Sequence, residues 1–429
     1  MIKRFGIRIL VGVAAFWFSV GVGKTSSATA GQFVILSDLH FIGEIEDGPG
    51  FSQYGQDSNR RLLQAVLEDV HKRCANPMFI LCLGDFYAHN KLISGAKQVR
   101  GELIPTETIL PRLIQEFFTN TTVFPVLGNN DASLDYAVPG EELLTDFAHA
   151  WAPLMANPEV ASNFCASFAS HGRFSVRLPG MPLHRLVGFN STYMSAKNRV
   201  SPIEGTQQLL WLDSELSKAE SNKETVWLAF HIPPGLDPHN TLASGTDVPL
   251  WQRELQLQLL KVWSKHSGSI AACFCGHTHM DDFRVLYSAT NPMGFIHIAP
   301  SVSPCYGNNP AYQVFTTDAE GNIEDFETWY LTNLSELATT CSTNKDEWTM
   351  EYSFREAYQF QSRKYDTHAL HELLKTLAKT DVEFARSNFI RFYRVSRMDN
   401  ADVQPGNFET RFLPLMTLQL SAGKATQSR

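Results

Sequence analysis

The chain has 429 residues, of which 44% are hydrophobic and 19% charged, so it can bury a large core and does not have the composition of a disordered protein. Its formal net charge of −8 argues against a general electrostatic grip on nucleic acid or on anionic membranes. The length permits two or three domains.

The N-terminus has the pattern of an export signal. Lys3, Arg4 and Arg8 give a basic start, residues 9–22 are largely apolar, and Ala28 and Ala30 form a small-x-small cleavage site. The alternative is a retained anchor, but the apolar stretch is short beside the roughly 20 residues that span a bilayer. We therefore predict a signal peptide over residues 1–30, a secreted or periplasmic protein, and no transmembrane segment after cleavage.

The cysteine content fits this compartment. Seven cysteines in an exported chain predict a few disulfides and at least one unpaired thiol. Cys273 and Cys275 are two residues apart on a predicted strand, which holds their Cα atoms near the limit of disulfide reach. We expect these two to be buried thiols.

Short apolar runs alternate with helical periodicity along most of the chain. Buried strands are predicted at residues 34–36, 78–83, 123–127, 185–189, 226–230 and 270–275, with further candidates at 295–298 and 312–315. Apolar residues at helical spacing predict amphipathic helices over residues 62–70, 209–216 and 255–262. This alternation predicts a layered α/β fold.

The character of the sequence changes after about Trp329. Residues 352–363 and 370–395 are rich in Leu, Phe, Tyr and Arg and are predicted to be helical. We predict a main domain over residues 31–330, a small helical C-terminal domain over residues 331–415, and a disordered tail over residues 416–429.

Potential metal-binding residues follow five of the predicted strands. They are carboxylates, imidazoles and one amide, the kinds of side chain that hold pairs of divalent ions: Asp38, His40, Asp85, Asn129, His231, His277 and His279. Each motif alone also fits an ordinary role, such as a turn cap or a histidine packed on a sheet. Because ligands gather at the carboxyl ends of strands, the full set in this order predicts a two-metal hydrolase.

The order of these segments resembles the D-x-H, GD, GN, H, GHTH pattern of the calcineurin-like metallophosphoesterases. Within them, the chain is similar to the acid sphingomyelinase-like phosphodiesterases, and this narrower resemblance rests on GDFYAH at 84–89, HIPPG at 231–235 and GHTHMDDF at 276–283. It extends from about Gln32 to about Ser396. The resemblance implies a two-sheet sandwich flanked by helices.

The resemblance also implies how the ligands are divided. Asp38, His40 and His279 would hold one metal, and Asp85 would bridge to a second metal held by the three remaining ligands, Asn129, His231 and His277. Zinc is the expected metal, with iron or manganese as alternatives. The reaction implied is attack on phosphorus by a water that the two metals activate.

Two further residues bear on the chemistry. The resemblance implies that His89 helps to protonate the leaving group, and the alternative is a supporting or surface histidine. Asn130 departs from the family, which usually has histidine at this position. An amide cannot donate a catalytic proton, although it can hydrogen-bond to a phosphoryl oxygen.

Two functions follow as hypotheses. The first is an exported phosphodiesterase that cuts a phosphodiester or phosphoanhydride bond in a small phosphodiester, nucleotide or sphingomyelin-like phospholipid. Acid sphingomyelinase itself carries an N-terminal saposin domain, whereas here few residues separate the signal from the first strand, so we favour nucleotides or other soluble diesters. The second is a non-catalytic or weakly active binding protein on the same fold, suggested by Asn130 alone.

Overall fold

The structure is a computed structural model that describes residues 31–43, 50–89, 103–198, 202–339, 345–360, 362–379, 382–397 and 403–420. The predicted signal peptide, residues 1–30, lies outside these ranges. Within them, no helix combines the length and the apolar character needed to cross a membrane. The described chain begins at Gly31, where the first strand starts.

The described strands, in chain order, are β1 (Gly31–Leu36), β2 (Phe79–Cys82), β3 (Thr122–Pro125), β4 (Phe174–Leu178), β5 (Met181–Gly188), β6 (Thr225–Ala229), β7 (Ile270–Cys275), β8 (Asp282–Ser288), β9 (Asn291–Ile298), β10 (Ala311–Thr317), β11 (Ile323–Leu331), β12 (Trp348–Ser353) and β13 (Thr417–Leu420). They form one sheet in the order β12-β11-β10-β1-β2-β3 and a second in the order β13-β8-β9-β7-β6-β5-β4. Strands β1, β2 and β3 are parallel in the first sheet, and β5, β6 and β7 are parallel in the second.

Aromatic side chains fill the space between the sheets. Phe33 of β1 lies 5.1 Å from Trp227 of β6 and 5.9 Å from Phe274 of β7, measured between ring centroids. It also stacks on Phe315 of the neighbouring β10 at 4.9 Å. All four rings are buried, so face-to-face packing of the two sheets builds one continuous core.

Helices flank this sandwich. The described α-helices, in chain order, are α1 (Arg60–Arg73), α2 (Leu103–Phe117), α3 (Glu141–Trp151), α4 (Pro158–His171), α5 (Pro202–Ser221), α6 (Pro238–Ser244), α7 (Arg253–His266), α8 (Leu334–Thr339), α9 (Phe354–Ala357), α10 (Thr367–Leu377), α11 (Glu383–Tyr393) and α12 (Pro405–Asn407). The predicted apolar faces of α1, α5 and α7 are buried against the sheets, except that Val262 of α7 is half-buried. The two-sheet sandwich flanked by helices is therefore confirmed.

Two predictions for the C-terminal region were wrong in detail. The expected helix over residues 352–363 is instead the end of β12 followed by the short helix α9, because Trp348 and Tyr352 bury their side chains as β12 pairs with β11. The expected helix over residues 370–395 is two helices, α10 and α11.

The chain end also differs from the prediction. Residues 417–420, placed in a disordered tail, form β13 and pair in parallel with β8, while 421–429 lie outside the described residues. Both β12 and β13 thus come from the C-terminal region and extend the two sheets of the sandwich. The domain boundaries themselves remain a prediction.

The cysteines depart from the expectation of disulfides. Within the described ranges all the cysteines are free thiols: Cys74, Cys82, Cys165, Cys273, Cys275 and Cys305. Cys341 lies outside the described residues. The prediction that Cys273 and Cys275 are buried thiols is confirmed.

Candidate metal centre

The seven predicted ligands converge between the carboxyl ends of the two sheets. Asp38 and His40 follow β1, Asp85 follows β2 and Asn129 follows β3, so the first sheet supplies four of them. His231 follows β6, and His277 with His279 follows β7, so the second sheet supplies the rest. Parallel strands bring these side chains together because their carboxyl ends share one edge of each sheet.

The backbone of these segments is unusual. Asp38, His40, Asp85, His277 and His279 all have positive φ, between 42° and 76°. Residues with a Cβ rarely adopt this left-handed region, and each instance costs on the order of 1–3 kcal/mol. Such strain persists where the surrounding structure enforces it, and here it turns the side chains of successive motifs toward one point.

Two motif glycines permit the close approach of the segments. A Cβ on Gly128 would lie 2.1 Å from Asp85 Oδ1, and a Cβ on Gly276 would lie 2.0 Å from Ser37 Oγ and 2.6 Å from Asp38 Oδ2. These distances are far below van der Waals contact. The glycines of the GN and GH motifs are therefore required for the loops to meet.

A first group of donor atoms surrounds Asp38. Its Oδ1 lies 3.2 Å from His279 Nε2 and 3.8 Å from His40 Nε2, and the two imidazole Nε2 atoms are 3.1 Å apart. Asp85 Oδ2 lies 3.6 Å from His40 Nε2. Asp38 and His40 are fully buried.

A second group shares the same Asp85 oxygen. His231 Nε2 lies 3.2 Å from Asp85 Oδ2 and 3.2 Å from Asn129 Oδ1. The Asn129 amide donates to Asp135 at 2.7 Å, which turns Oδ1 toward His231. Asp85, His231 and His277 have ligand atoms within 4.8 Å of one another.

Backbone carbonyls fix the histidine tautomers. His40 Nδ1 donates to Tyr87 O at 3.0 Å, and His231 Nδ1 donates to Leu83 O at 2.7 Å. Each Nε2 is then directed into the centre, where it can bind a metal once it carries no proton, and this is the arrangement usual for metal-binding histidines. Burial lowers the pKa of His40 to about 3, so this imidazole is neutral and can act as a ligand.

The arrangement of these donor atoms suits divalent cations. Buried carboxylates and inward-facing Nε2 atoms lie close together, and a cation between them would compensate the buried negative charge. The charges of His279 and His231 outweigh the effect of burial and hold the pKa of Asp38 below its usual range. The donor set of nitrogen and oxygen atoms suits zinc, iron or manganese.

His89 lies at the edge of the first group, held by a residue that the sequence did not single out. Its Nδ1 donates to Asp57 Oδ1 at 2.7 Å, and its backbone N donates to Asp57 Oδ2 at 2.8 Å. Burial lowers the pKa of His89, but the bond to Asp57, together with Cys305, outweighs burial and raises it to about 11. The ring stacks on His40 with centroids 3.9 Å apart.

Asn130 is buried and turned toward the predicted bridging carboxylate. Its side-chain Nδ2 donates to Asp85 Oδ2 and its backbone N donates to Asp85 Oδ1, both at 2.8 Å. The predicted contact with a phosphoryl oxygen would require this amide to leave Asp85. In the arrangement described, Asn130 orients Asp85.

Asp131 ties two motif loops together. Its Oδ2 accepts from the backbone N of Asp85 at 2.9 Å and of Gly128 at 2.7 Å, and its Oδ1 accepts from Phe86 at 2.7 Å and Tyr87 at 3.4 Å. No role was predicted for this residue from the sequence. Its position directly after the GNN segment was the available signal.

The rim of the centre carries three more residues that the sequence analysis missed. Tyr306 is 55% exposed, and its hydroxyl lies 3.3 Å from His89 Nε2. Tyr136 packs edge-on to His277 with ring centroids 6.1 Å apart, and Lys197 Nζ donates to the Tyr136 hydroxyl at 3.0 Å. These residues sit in loops with no periodic pattern, so no local signal marked them.

Comparison with known proteins identifies the family of the chain. The Calcineurin-like phosphoesterase family matches residues 31–281, and the chain belongs to this family. Acid sphingomyelinase-like phosphodiesterase 3b of Mus musculus is 30% identical, covering 78% of this chain and 77% of its own.

Two other relatives carry different names. Sphingomyelinase phosphodiesterase D of Dictyostelium discoideum is 28% identical over 73% of this chain and 68% of its own. Cyclic GMP-AMP phosphodiesterase SMPDL3A of Mus musculus is 25% identical over 85% and 83%, respectively. The resemblance to acid sphingomyelinase-like phosphodiesterases is thus confirmed, and the chain is a metal-dependent phosphoric ester hydrolase.

Proposed function

We propose that this protein is an exported phosphodiesterase with two metal ions, which cuts a phosphodiester or phosphoanhydride bond in a nucleotide or a sphingomyelin-like substrate. The observation that carries the proposal is the position of Asp85 Oδ2, 3.6 Å from His40 Nε2 and 3.2 Å from His231 Nε2. Asp38 Oδ1 also lies 3.8 Å from both of these nitrogens, but Asp85 Oδ2 is closer to each of them, as expected of a bridging ligand.

The donor groups would divide between the two ions as the family pattern implies. Asp38, His40 and His279 would hold one ion, the three ligands Asn129, His231 and His277 would hold the other, and Asp85 would contact both. When bound, such ions lower the pKa of water to near neutrality and neutralise phosphoryl charge.

His89 is proposed to hold a proton for the leaving group. Its Nδ1–H is engaged by Asp57, so Nε2 is the atom that faces the rim and the substrate. An alkoxide leaves poorly without a proton, and a positioned acid contributes roughly 10²–10⁴-fold to the rate. Asp57 keeps the ring oriented and favours its protonated form.

Asn130 is proposed to support Asp85 rather than to move a proton. Its amide donates to the oxygen that faces both donor groups. This role accounts for an amide at a position where the family usually has histidine, and it leaves proton donation to His89. If His89 could not replace the histidine that the family usually has at position 130, the competing function, a non-catalytic binding protein, would follow.

The test combines metal analysis with a diesterase assay. The purified protein should contain close to two divalent ions per chain, hydrolyse bis-p-nitrophenyl phosphate, and lose activity on chelation. Asp85→Asn should lower metal content at both sites, whereas Asp247→Asn, on an exposed loop, should change nothing. A protein with two bound ions and no activity on any diester would favour the non-catalytic alternative, and unchanged metal content in Asp85→Asn would reject the bridging role.

A further inference from the structure

The surroundings of the centre are chemically different on its two sides. On the side of His40 and His279 lie the proposed proton donor His89 and the exposed ring of Tyr306, whose centroid is 4.5 Å from that of His279. On the side of His277 lie Tyr136 and Lys197. A substrate that crosses the centre would meet an aromatic, proton-donating wall at one end and a cation at the other.

The cation is held in place by its neighbours. Lys197 Nζ donates to the Tyr136 hydroxyl at 3.0 Å and lies 4.8 Å from the centroid of that ring. The Lys197 backbone N donates to Ser195 Oγ at 3.2 Å, which anchors the segment. Its side chain is exposed, so it keeps donor positions for an incoming group.

Tyr136 is itself tied to the metal centre. Its backbone N donates to Asn129 O at 2.9 Å, and its φ is 59°, in the left-handed region. Asn129 is a proposed metal ligand, so this bond ties the backbone of Tyr136 to the metal centre, and the ammonium of Lys197 is held beside the Tyr136 hydroxyl. A phenol and an ammonium presented together are donors suited to phosphoryl oxygens.

We propose that Lys197 and Tyr136 form a subsite for a second anionic group of the substrate, a phosphoryl group on the part that faces His277. This inference rests on the proposed function and narrows it. A substrate with two phosphoryl groups, such as a phosphoanhydride or a dinucleotide, would be favoured over a diester whose far end is cationic, such as a choline headgroup.

The test uses product-like ligands that differ by one phosphate. Binding of thymidine 3′,5′-bisphosphate and of thymidine 5′-phosphate to the metal-loaded protein is measured by calorimetry. The bisphosphate should bind more tightly than the monophosphate. Lys197→Met should reduce the ratio of their two dissociation constants about three- to tenfold, the range of a single charged contact. Lys197→Arg should retain the preference, high salt should reduce it, and Lys261→Met, an exposed lysine on α7, should have no effect.

Hydrolysis provides a second readout. Lys197→Met should raise KM for thymidine 3′-phosphate 5′-(p-nitrophenyl phosphate) about threefold or more relative to any change in KM for bis-p-nitrophenyl phosphate and p-nitrophenyl phosphorylcholine. Equal binding of both thymidine ligands by the parent protein, or the same preference in Lys197→Met, would overturn the subsite. Failure of the proposed function would appear differently, as absence of hydrolysis of every diester despite bound metal, and the calorimetric comparison would still decide the subsite.

Discussion

Replacement of Asp131 by Asn should destabilise the protein and empty its metal centre, although Asp131 is not itself a proposed ligand. Its two carboxylate oxygens accept from four backbone N–H groups, of Asp85, Phe86, Tyr87 and Gly128. The carboxylate is 1% exposed, so water cannot replace it. An Asn side chain keeps one acceptor oxygen and places an NH₂ group where the other oxygen was.

The cost can be worked out from these contacts. Either orientation of the amide leaves two N–H groups without an acceptor and directs a donor at them. A buried donor left unsatisfied costs about 1–3 kcal/mol, so the expected loss in the free energy of unfolding is about 2–6 kcal/mol. Asp131→Ala removes both oxygens and should cost more. Because two of the four donors belong to Asp85 and Gly128, the loops that present Asp85 and Asn129 should shift as well.

The measurement is urea unfolding monitored by fluorescence, combined with metal analysis of the folded protein. Asp247→Asn, exposed on a loop, is the matched control for loss of one carboxylate and should leave the unfolding free energy within about 0.5 kcal/mol of the parent. A change below about 1 kcal/mol in Asp131→Asn, with the parent's metal content retained, would refute the reasoning.

Four other outcomes are expected. Asp57→Asn should slow hydrolysis of alkyl diesters about tenfold or more but spare nitrophenyl diesters, whose leaving group needs no proton; equal losses on both would contradict the role of His89. Asn130→His should raise the alkyl-to-nitrophenyl rate ratio, and an unchanged ratio would show that position 130 handles no proton. Burial lowers the pKa of His297 to about 4, so below pH 6.5 the unfolded state binds more protons than the folded state. The free energy of unfolding should therefore fall by about 2 kcal/mol between pH 7 and pH 5. The fall should be smaller in His297→Asn, and an equal fall in that variant would contradict the assignment. Mass analysis of exported protein should find Gly31 at the N-terminus, and intact residues 9–22 would support an anchor instead.

The sequence predicted the elements whose signal is local. Strands β1, β2, β6 and β7 are apolar runs that end at a polar motif, and their positions follow from that pattern. The helix predicted at residues 352–363 failed because β12 gains its stability from pairing with β11, a contact distant in sequence. The strand at 417–420 was missed for the same reason, since four residues have no periodicity of their own.

The residues of the candidate site also fall into those that the sequence predicted and those that only the folded chain brings together. Each proposed ligand sits directly after a strand, so the order of motifs was enough to place it in one set. Asp57 lies 32 residues before His89, and Tyr306 lies 217 residues after it, so their contacts with His89 depend on the folded chain. Lys197 reaches Tyr136 across 61 residues in the same manner. The residues proposed to act on the substrate come from loops, where the sequence carries little structural signal.

Asn130 affects proton donation in the enzyme but not the set of proposed metal ligands. The proposed metal ligands depend on strand ends and on Asp131, none of which requires a histidine at 130. Proton donation is assigned to His89, which is oriented by Asp57 from a separate loop. Loss of a histidine at 130 therefore removes one proton-handling group without disturbing the donor set, and the amide that replaces it donates to Asp85. The physical consequence is an enzyme whose rate should depend more strongly on leaving-group protonation by His89, which is the dependence that the Asp57 and Asn130 variants measure from opposite directions.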